Sequence, residues 1–308
     1  MRVLFFGTPE FAVDSLEDLA DSRHNIVAVV CQPDRRAGRG RRMEKPPVAR
    51  TAEARGIPIV QPERLSAGDV WSIFEEYSPE IGVVVAYGKI LPRRVLEIPP
   101  RGFVNVHASL LPWHRGAAPI ARAILAGDAE TGVSIMQLDE GVDTGPVYAV
   151  RKTDIDPDET AGELGARLAH LGAGLLLEVL EGIEAGSLAP RPQEGEPSYA
   201  PPLAKEDGRI AWTGNARDVH DRVRGTNPWP GATARFRDGE VRIWRTALAP
   251  VEDSGPPGEV LRAKKNLLRV ASASGAVDLL ELQRPGKKRV SARDFINGAR
   301  VKPGERFG

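Results

Sequence analysis

The run Ile81-Gly82-Val83-Val84-Val85-Ala86 decides the fold, because it is apolar at every position. A strand with one wet face alternates apolar and polar residues, whereas a strand covered above and below reads as an unbroken hydrophobic run. Residues 2–6, 26–30, 57–60 and 102–107 are further short runs rich in β-branched or aromatic residues, with helix-like segments between them. Strand alternating with helix predicts a doubly wound, Rossmann-like α/β domain around a parallel sheet. After the first strand, Thr8 is expected to cap a helix that begins at Pro9. The Gly-x-Gly-x-x-Gly spacing of a dinucleotide site is missing at this turn, which argues against a nicotinamide or flavin cofactor.

Working outward, the strand at 102–107 carries the chemistry. Period-two geometry sends Asn105 and His107 to one face and Val104 and Val106 to the other. Burying an amide or an imidazole without hydrogen bonds costs on the order of 1–3 kcal/mol each, so the pair needs partners or a task. Downstream come Ser109-Leu110-Leu111-Pro112, Arg115-Gly116 and the acidic loop Gln137-Leu138-Asp139-Glu140-Gly141-Val142-Asp143-Thr144-Gly145.

Taken together, these motifs resemble the folate-dependent formyltransferase family over most of residues 1–150. Gln32-Pro33-Asp34 ahead of a basic loop, and Asn227-Pro228-Trp229-Pro230 in a C-terminal extension, resemble the branch that acts on initiator methionyl-tRNA. The resemblance implies 10-formyltetrahydrofolate as donor, methionyl-tRNA as acceptor, a monomer, and a C-terminal all-β, OB-like barrel. A small amine such as an amino sugar nucleotide is the rival acceptor.

Moving a formyl group from a folate nitrogen to an amine requires a donor for the oxyanion of a tetrahedral intermediate, and proton transfers at both nitrogens. Asn105 suits the first task, and an imidazole, His107, suits the second. An ionised Asp143 would set the state of His107, so Asn105, His107 and Asp143 are the expected catalytic group. Ser109, Leu110, Leu111 and Pro112 are expected at the folate site. Val84, Ala86, Tyr87, Leu138, Glu140 and Val142 join them as positions near the carboxyl ends of strands, where open α/β sheets bind ligands. Ala108 stands where related chains often carry Gly. A hydrolase built on Ser109, His107 and Asp143 would need the Gly-x-Ser-x-Gly elbow, which is absent. His24, His107, His114, His170 and His220 show no paired ligand spacing, so no metal is expected.

With 308 residues and 41% hydrophobic content, the chain is long enough for two cores. Cys31 has no intrachain partner, and Val3 to Phe6 is too short for a leader or a membrane span, so a soluble cytoplasmic protein is expected. The zero net charge hides a polarity. Residues 1–204 carry 21 basic against 29 acidic side chains, and residues 205–308 carry 21 against 13. A basic second domain points to a polyanion.

Two places look built for phosphates. Arg35, Arg36, Arg39, Arg41, Arg42 and Lys45 crowd a glycine-containing loop opposed only by Glu44, which reads as a flexible segment that orders on RNA. In the basic domain, Thr233–Phe236 and Val241–Trp244 flank Asp238-Gly239, predicting a hairpin with Arg235 opposite Arg242 beside Trp244. Lys287 and Lys288 lie in the nearby segment Arg284-Pro-Gly-Lys-Lys-Arg289.

Thr160-x-x-Glu163 is a capping box, and Leu164, Leu168, Leu171, Leu175, Val179 and Ile183 then recur along one helical face. The Pro- and Gly-rich stretch after this helix reads as a linker. The expected organisation is a catalytic domain at 1–184, a linker at 185–207 and a tRNA-binding domain at 208–308.

Overall fold

A computed structural model describes residues 1–37, 42–63, 67–250 and 253–308. The chain forms two compact units. The first comprises Met1–Gly116, Thr131–Thr153 and Gly165–Tyr199, and the second Ala117–Glu130, Asp154–Leu164 and Ala200–Gly308.

The early strands are β1 (Arg2–Gly7), β2 (Asn25–Val30), β3 (Arg35–Ala37), β4 (Arg42–Glu44), β5 (Ile59–Val60), β6 (Ile81–Val85) and β7 (Phe103–His107). They are followed by β8 (Arg115–Gly116), β9 (Glu130–Gln137), β10 (Val147–Asp154) and β11 (Tyr199–Ala200). The main sheet runs β10-β9-β7-β6-β1-β2-β5. The five strands expected from sequence are all parallel to one another. The sheet extends beyond them, because β9 joins β7 antiparallel and β10 forms the edge. Exposed Lys152 and Asp154, with half-buried Arg151 beside them, give β10 the charged character that blunts an edge strand.

Helices α1 (Val13–Ala20), α2 (Pro47–Ala54), α3 (Ala67–Tyr77) and α4 (Arg93–Leu96) precede α5 (Pro119–Ala126) and the long α6 (Ala161–Ala185). One face of the sheet packs Leu4, Phe6, Val84 and Phe103 against Ile73 and Phe74 of α3 and Val95 of α4. Phe6 meets Phe103 edge-on at 5.6 Å between ring centres. Gly82 is required beneath this cluster, since a Cβ there would strike the Phe103 ring. On the other face, Gly172 of α6 sits over Val106 and Val133. The expected capping box is present: Thr160 N–H donates to Glu163 at 2.9 Å, and Glu163 N–H donates to the Thr160 hydroxyl at 3.3 Å. The expected cap at Thr8 is not. A short 3₁₀ turn over Glu10–Ala12 follows Pro9, and the Thr8 hydroxyl instead donates to the Tyr87 carbonyl at 3.1 Å and accepts from Gln32 N–H at 3.3 Å. These bonds hold together three strand ends, which local sequence does not encode.

The second unit adds α7 (Ala216–Gly225), β12 (Ala232–Phe236), β13 (Gly239–Leu248), β14 (Val260–Lys264), β15 (Leu267–Ala271), β16 (Ala276–Gln283), β17 (Val290–Ser291) and α8 (Ala292–Ala299). Its antiparallel sheet runs β12-β13-β16-β15-β14, with β17 on β16. The chain end joins the two sheet edges: Phe307 bridges Phe236 of β12, and Arg306 bridges Glu259 beside β14. Such closure makes a barrel and removes free strand edges. Two segments inside the expected 1–184 domain group with this unit for packing reasons. Ile124 and Leu125 of α5 pack against Gly225, and Arg224 donates to the Asp156 carbonyl at 3.1 Å while binding Asp221 at 2.7 Å.

The hairpin register differs from the expected one by two residues. Phe236 pairs with Gly239, Arg235 with Glu240, Ala234 with Val241 and Thr233 with Arg242, so the turn is Arg237-Asp238. This register sets small Ala232 against bulky Ile243 and lets Phe236 stack on Phe307 at 4.5 Å. It also removes the expected clash of Arg235 with Arg242 by placing a carboxylate opposite Arg235.

Candidate active site

Asn105 and His107 end β7 on the α3/α4 face of the sheet, at the carboxyl ends of the strands where ligands of open α/β folds bind. Asn105 pairs in register with Val84 on one side and Met136 on the other, and His107 pairs with Ser134. Neighbouring strands hold both residues, so neither side chain is on a mobile loop.

Both are nearly out of solvent, with Asn105 9% exposed and His107 5%. His107 Nε2 lies 2.9 Å from the His114 carbonyl, which only accepts, so Nε2 carries the hydrogen. His107 Nδ1 faces Asp143 Oδ2 at 3.5 Å. The same carboxylate oxygen accepts the Gly116 N–H at 2.8 Å. Both His114 and Asp143 occupy the left-handed region, at φ 54° and 53°, which brings two loops onto one imidazole. The Asn105 amide has no hydrogen-bond partner among the described residues, and neither has Asp143 Oδ1. An amide with no protein partner at the end of a central strand is open to a ligand's hydrogen bond.

The segment after β7 is fixed from within. Ser109 Oγ donates to the Trp113 carbonyl at 2.6 Å, Ser134 Oγ donates to the Ser109 carbonyl at 2.7 Å, and Leu111 N–H donates to Ser134 Oγ at 3.1 Å. With its hydroxyl so bound and its surface fully buried, Ser109 is not an open nucleophile. On the far side, Asp139 accepts from the Thr144 hydroxyl at 2.7 Å and from Gly141 N–H at 3.0 Å, shaping the loop that presents Asp143.

Residues 1–180 match the formyl transferase family, and residues 202–300 match the formyl transferase C-terminal domain. A methionyl-tRNA formyltransferase from Thermus thermophilus is 50% identical over 308 residues, spanning 100% of this chain and 99% of its own. The chain belongs to the methionyl-tRNA formyltransferase family. Two solved structures share the formyltransferase fold at low identity. One is WlaRD, a sugar 3N-formyl transferase solved in the presence of dTDP and 5-N-formyl-THF, with a TM-score of 0.69 and 16% identity over 94% of this chain and 99% of that one. The other is HypX from Aquifex aeolicus in complex with tetrahydrofolic acid, with a TM-score of 0.65 and 20% identity over 97% of this chain and 48% of that one.

Within this family member, the residues expected at the folate site divide. Leu110 is buried, Leu111 and Leu138 are half-buried, Pro112 is buried, and Ala86 and Val142 are exposed. Val84 belongs to the core face beside Asn105. The Tyr87 ring is 1% exposed and packs edge-on against Phe6 at 5.3 Å, so it is a core residue, and burial pushes its hydroxyl up to about 12. Glu140 pairs with Arg93 of α4 at 2.9 Å and ties the acidic loop to that helix. Sequence reasoning missed Ser134, Gln193 and Ser198. Ser134 holds the Ser109 segment; the Ser198 hydroxyl accepts His114 N–H at 2.8 Å, and the Gln193 amide reaches the Asp143 loop. All three arrive through pairings distant in sequence.

The basic residues also divide. Arg35 and Arg36 are exposed on a ribbon in which β3 pairs antiparallel with β4, so the segment expected as a flexible loop is strand-paired on both sides. Arg39 and Arg41 lie outside the described residues, and Arg42 lies on β4. Lys45 binds Glu53 at 2.7 Å, which raises its pKa and offsets its charge. In the second unit, Arg242 and Arg289 lie over the Trp244 ring at 5.2 and 4.1 Å from its centre. Trp244 is therefore a support for two guanidinium groups rather than an open stacking surface. Arg235 faces Glu240, while Lys287 and Lys288 are exposed on the turn before β17. Among the described residues no group of His, Cys, Asp or Glu is arranged to hold a metal, and no helix is long and apolar enough to cross a membrane.

Proposed function

We propose that this chain transfers the formyl group of 10-formyltetrahydrofolate to the α-amino group of initiator methionyl-tRNA, with Asn105, His107 and Asp143 at the reacting atoms. One observation carries the residue assignment: His107 spends its Nε2 hydrogen on the His114 carbonyl, leaving Nδ1 toward Asp143 as the ring position that exchanges a proton.

The amine nitrogen attacks the formyl carbon, and the carbonyl oxygen becomes an oxyanion. The free Asn105 amide donates to that oxygen, an interaction that strengthens as charge develops. The amine must lose a proton as the carbon–nitrogen bond forms, and Asp143, whose other oxygen faces Nδ1 of His107, accepts it at Oδ1. Collapse of the intermediate breaks the bond to the folate nitrogen, which leaves with a proton returned through the same pair. Leu110, Leu111 and Pro112, with Leu138, Glu140 and Val142 on the opposing loop, are the residues we assign to the pterin wall; their place beyond the strand ends supports it.

Arg35 and Arg36 on the ribbon, and Arg242, Arg289, Lys287 and Lys288 in the barrel unit, supply cations for the tRNA backbone. A translation enzyme of this kind acts in the cytoplasm. The test is formyl transfer to methionyl-tRNA from 10-formyltetrahydrofolate, comparing the parent with His107→Ala. Transfer by the parent and its loss in the variant supports the assignment. Turnover only with an amino sugar nucleotide would refute the acceptor, and full turnover by the variant would refute the site.

A further inference from the structure

We propose that Gln193 is the positioning residue for the His107–Asp143 pair, an assignment that rests on the role given to that pair above. Gln193 lies in the Pro-rich stretch that sequence marks as a linker, yet its amide is used at both ends. Nε2 donates to the carbonyls of Asp143 and Gly145, each at 2.8 Å. Oε1 accepts from Nε and Nη2 of Arg115 at 3.1 and 2.7 Å.

One side chain thereby cross-links the two loops that meet at the imidazole. Asp143 is held at φ 53°, a conformation disfavoured for a residue with a Cβ, and the two bonds from Gln193 fall on its own carbonyl and on that of Gly145. Gly145 lies close against the Gln137 carbonyl, where a Cβ would not fit. On the other side, Gln193 grips Arg115, whose neighbour Gly116 donates its N–H to Asp143 Oδ2 at 2.8 Å. The Arg115 N–H is itself held by the Ser198 carbonyl at 2.9 Å, so the stretch from Gln193 to Ser198 fixes both loops.

Only a primary amide of this length meets the geometry, since two donors must face carbonyls while an acceptor faces a guanidinium. Glutamate would keep the bond to Arg115 and set a carboxylate oxygen against two carbonyls. The carboxylate of Asp143 would then shift away from Nδ1, while the cations assigned to the tRNA backbone stay in place.

The experiment compares Gln193→Ala and Gln193→Glu in the full chain, each in the parent and in an Asp143→Ala background, with His107→Ala alongside. In the parent background kcat should fall about 10- to 100-fold, the scale of a small misplacement at a reacting centre, with KM for methionyl-tRNA changed less than about threefold. In the Asp143→Ala background the further loss should be less than about twofold, because the effect acts through that residue. An equal penalty in both backgrounds, or parent-like kcat in Gln193→Glu, overturns the proposal. Should the alanine variant fail to fold, the near-isosteric glutamate variant decides alone. Parent-like turnover in His107→Ala and Asp143→Ala would instead bring down the reading of the pair, and the role of Gln193 with it.

Discussion

Nδ1 of His107 and Oδ2 of Asp143 stand 3.5 Å apart, with side chains only 6% and 14% exposed. The same Asp143 oxygen accepts the Gly116 N–H at 2.8 Å, so one carboxylate joins the imidazole to the loop after β7. The neutral isostere is therefore informative.

Asp143→Asn keeps an oxygen for the Gly116 N–H and removes the charge. Turnover should drop by about 100-fold or more, the usual scale for general acid–base groups, with little change in KM for tRNA. Steady-state kinetics on methionyl-tRNA checks this; a loss smaller than about threefold would exclude a role for the charge.

Arg242 and Arg289 share the Trp244 ring, and Trp244 Nε1 donates to Gln283 at 2.9 Å, which locks the platform. Arg242→Glu or Arg289→Glu should weaken tRNA binding and lower the slope of log K against log salt by about one for each phosphate no longer neutralised. Folate binding should be unchanged. Salt slopes identical to the parent would mean that these cations face no phosphate.

Hydrogen bonds from the Thr160 backbone, opposed in part by burial and aided by the Thr160 hydroxyl and Arg245, hold the Glu163 carboxyl below its ordinary value of 4.5. A depressed carboxylate favours folding above its unfolded pKa, and that contribution disappears as pH falls through the folded value. Glu163→Gln should therefore be less stable than the parent near pH 6, and the gap should narrow as pH falls below 4.5. Thermal midpoints measured across this range test it; a constant gap would assign the effect to packing.

Phe307 is 2% exposed and stacks on Phe236 at the closure of the barrel unit. Phe307→Ala should cost about 3–5 kcal/mol, the range for removing a buried aromatic. Removing Arg306 to Gly308 should also unpair Arg235 and Glu259 at the two sheet edges and raise aggregation. Urea denaturation with light scattering reads both; a parent-like midpoint after truncation would show that the other strands hold the barrel shut.

Much of the fold, and the meeting of Asn105, His107 and Asp143 at one candidate site, was legible in the sequence, for reasons that differ by residue. The unbroken apolar run at Ile81 to Val85 reports burial on two faces, so it announced a central parallel strand. The capping box at Thr160 and Glu163 is local chemistry within one turn of helix, and it formed as read. Asn105 and His107 share a face because strand geometry leaves no alternative. Thr8 misled, since its hydroxyl satisfies partners at Gln32 and Tyr87 that lie far along the chain. The Asp238-Gly239 hairpin misled by two residues: turn propensity is weaker than the packing of Phe236 on Phe307 and the pairing of Arg235 with Glu240. Tyr87 gave no sign that its ring would fill the core beside Phe6.

By itself the sequence determined the five parallel strands, the sharing of one strand face by Asn105 and His107, and the separation of an acidic first two thirds from a basic last third. These follow from period, composition and local hydrogen bonding, which act over a few residues. Tertiary structure alone decided which nitrogen of His107 carries the hydrogen, which oxygen of Asp143 is left open, and that Gln193 would tie Asp143 to Arg115. Those outcomes depend on where a carbonyl or amide distant in the chain comes to rest, and hydrogen bonds set to a few tenths of an ångström exist only once the loops are packed.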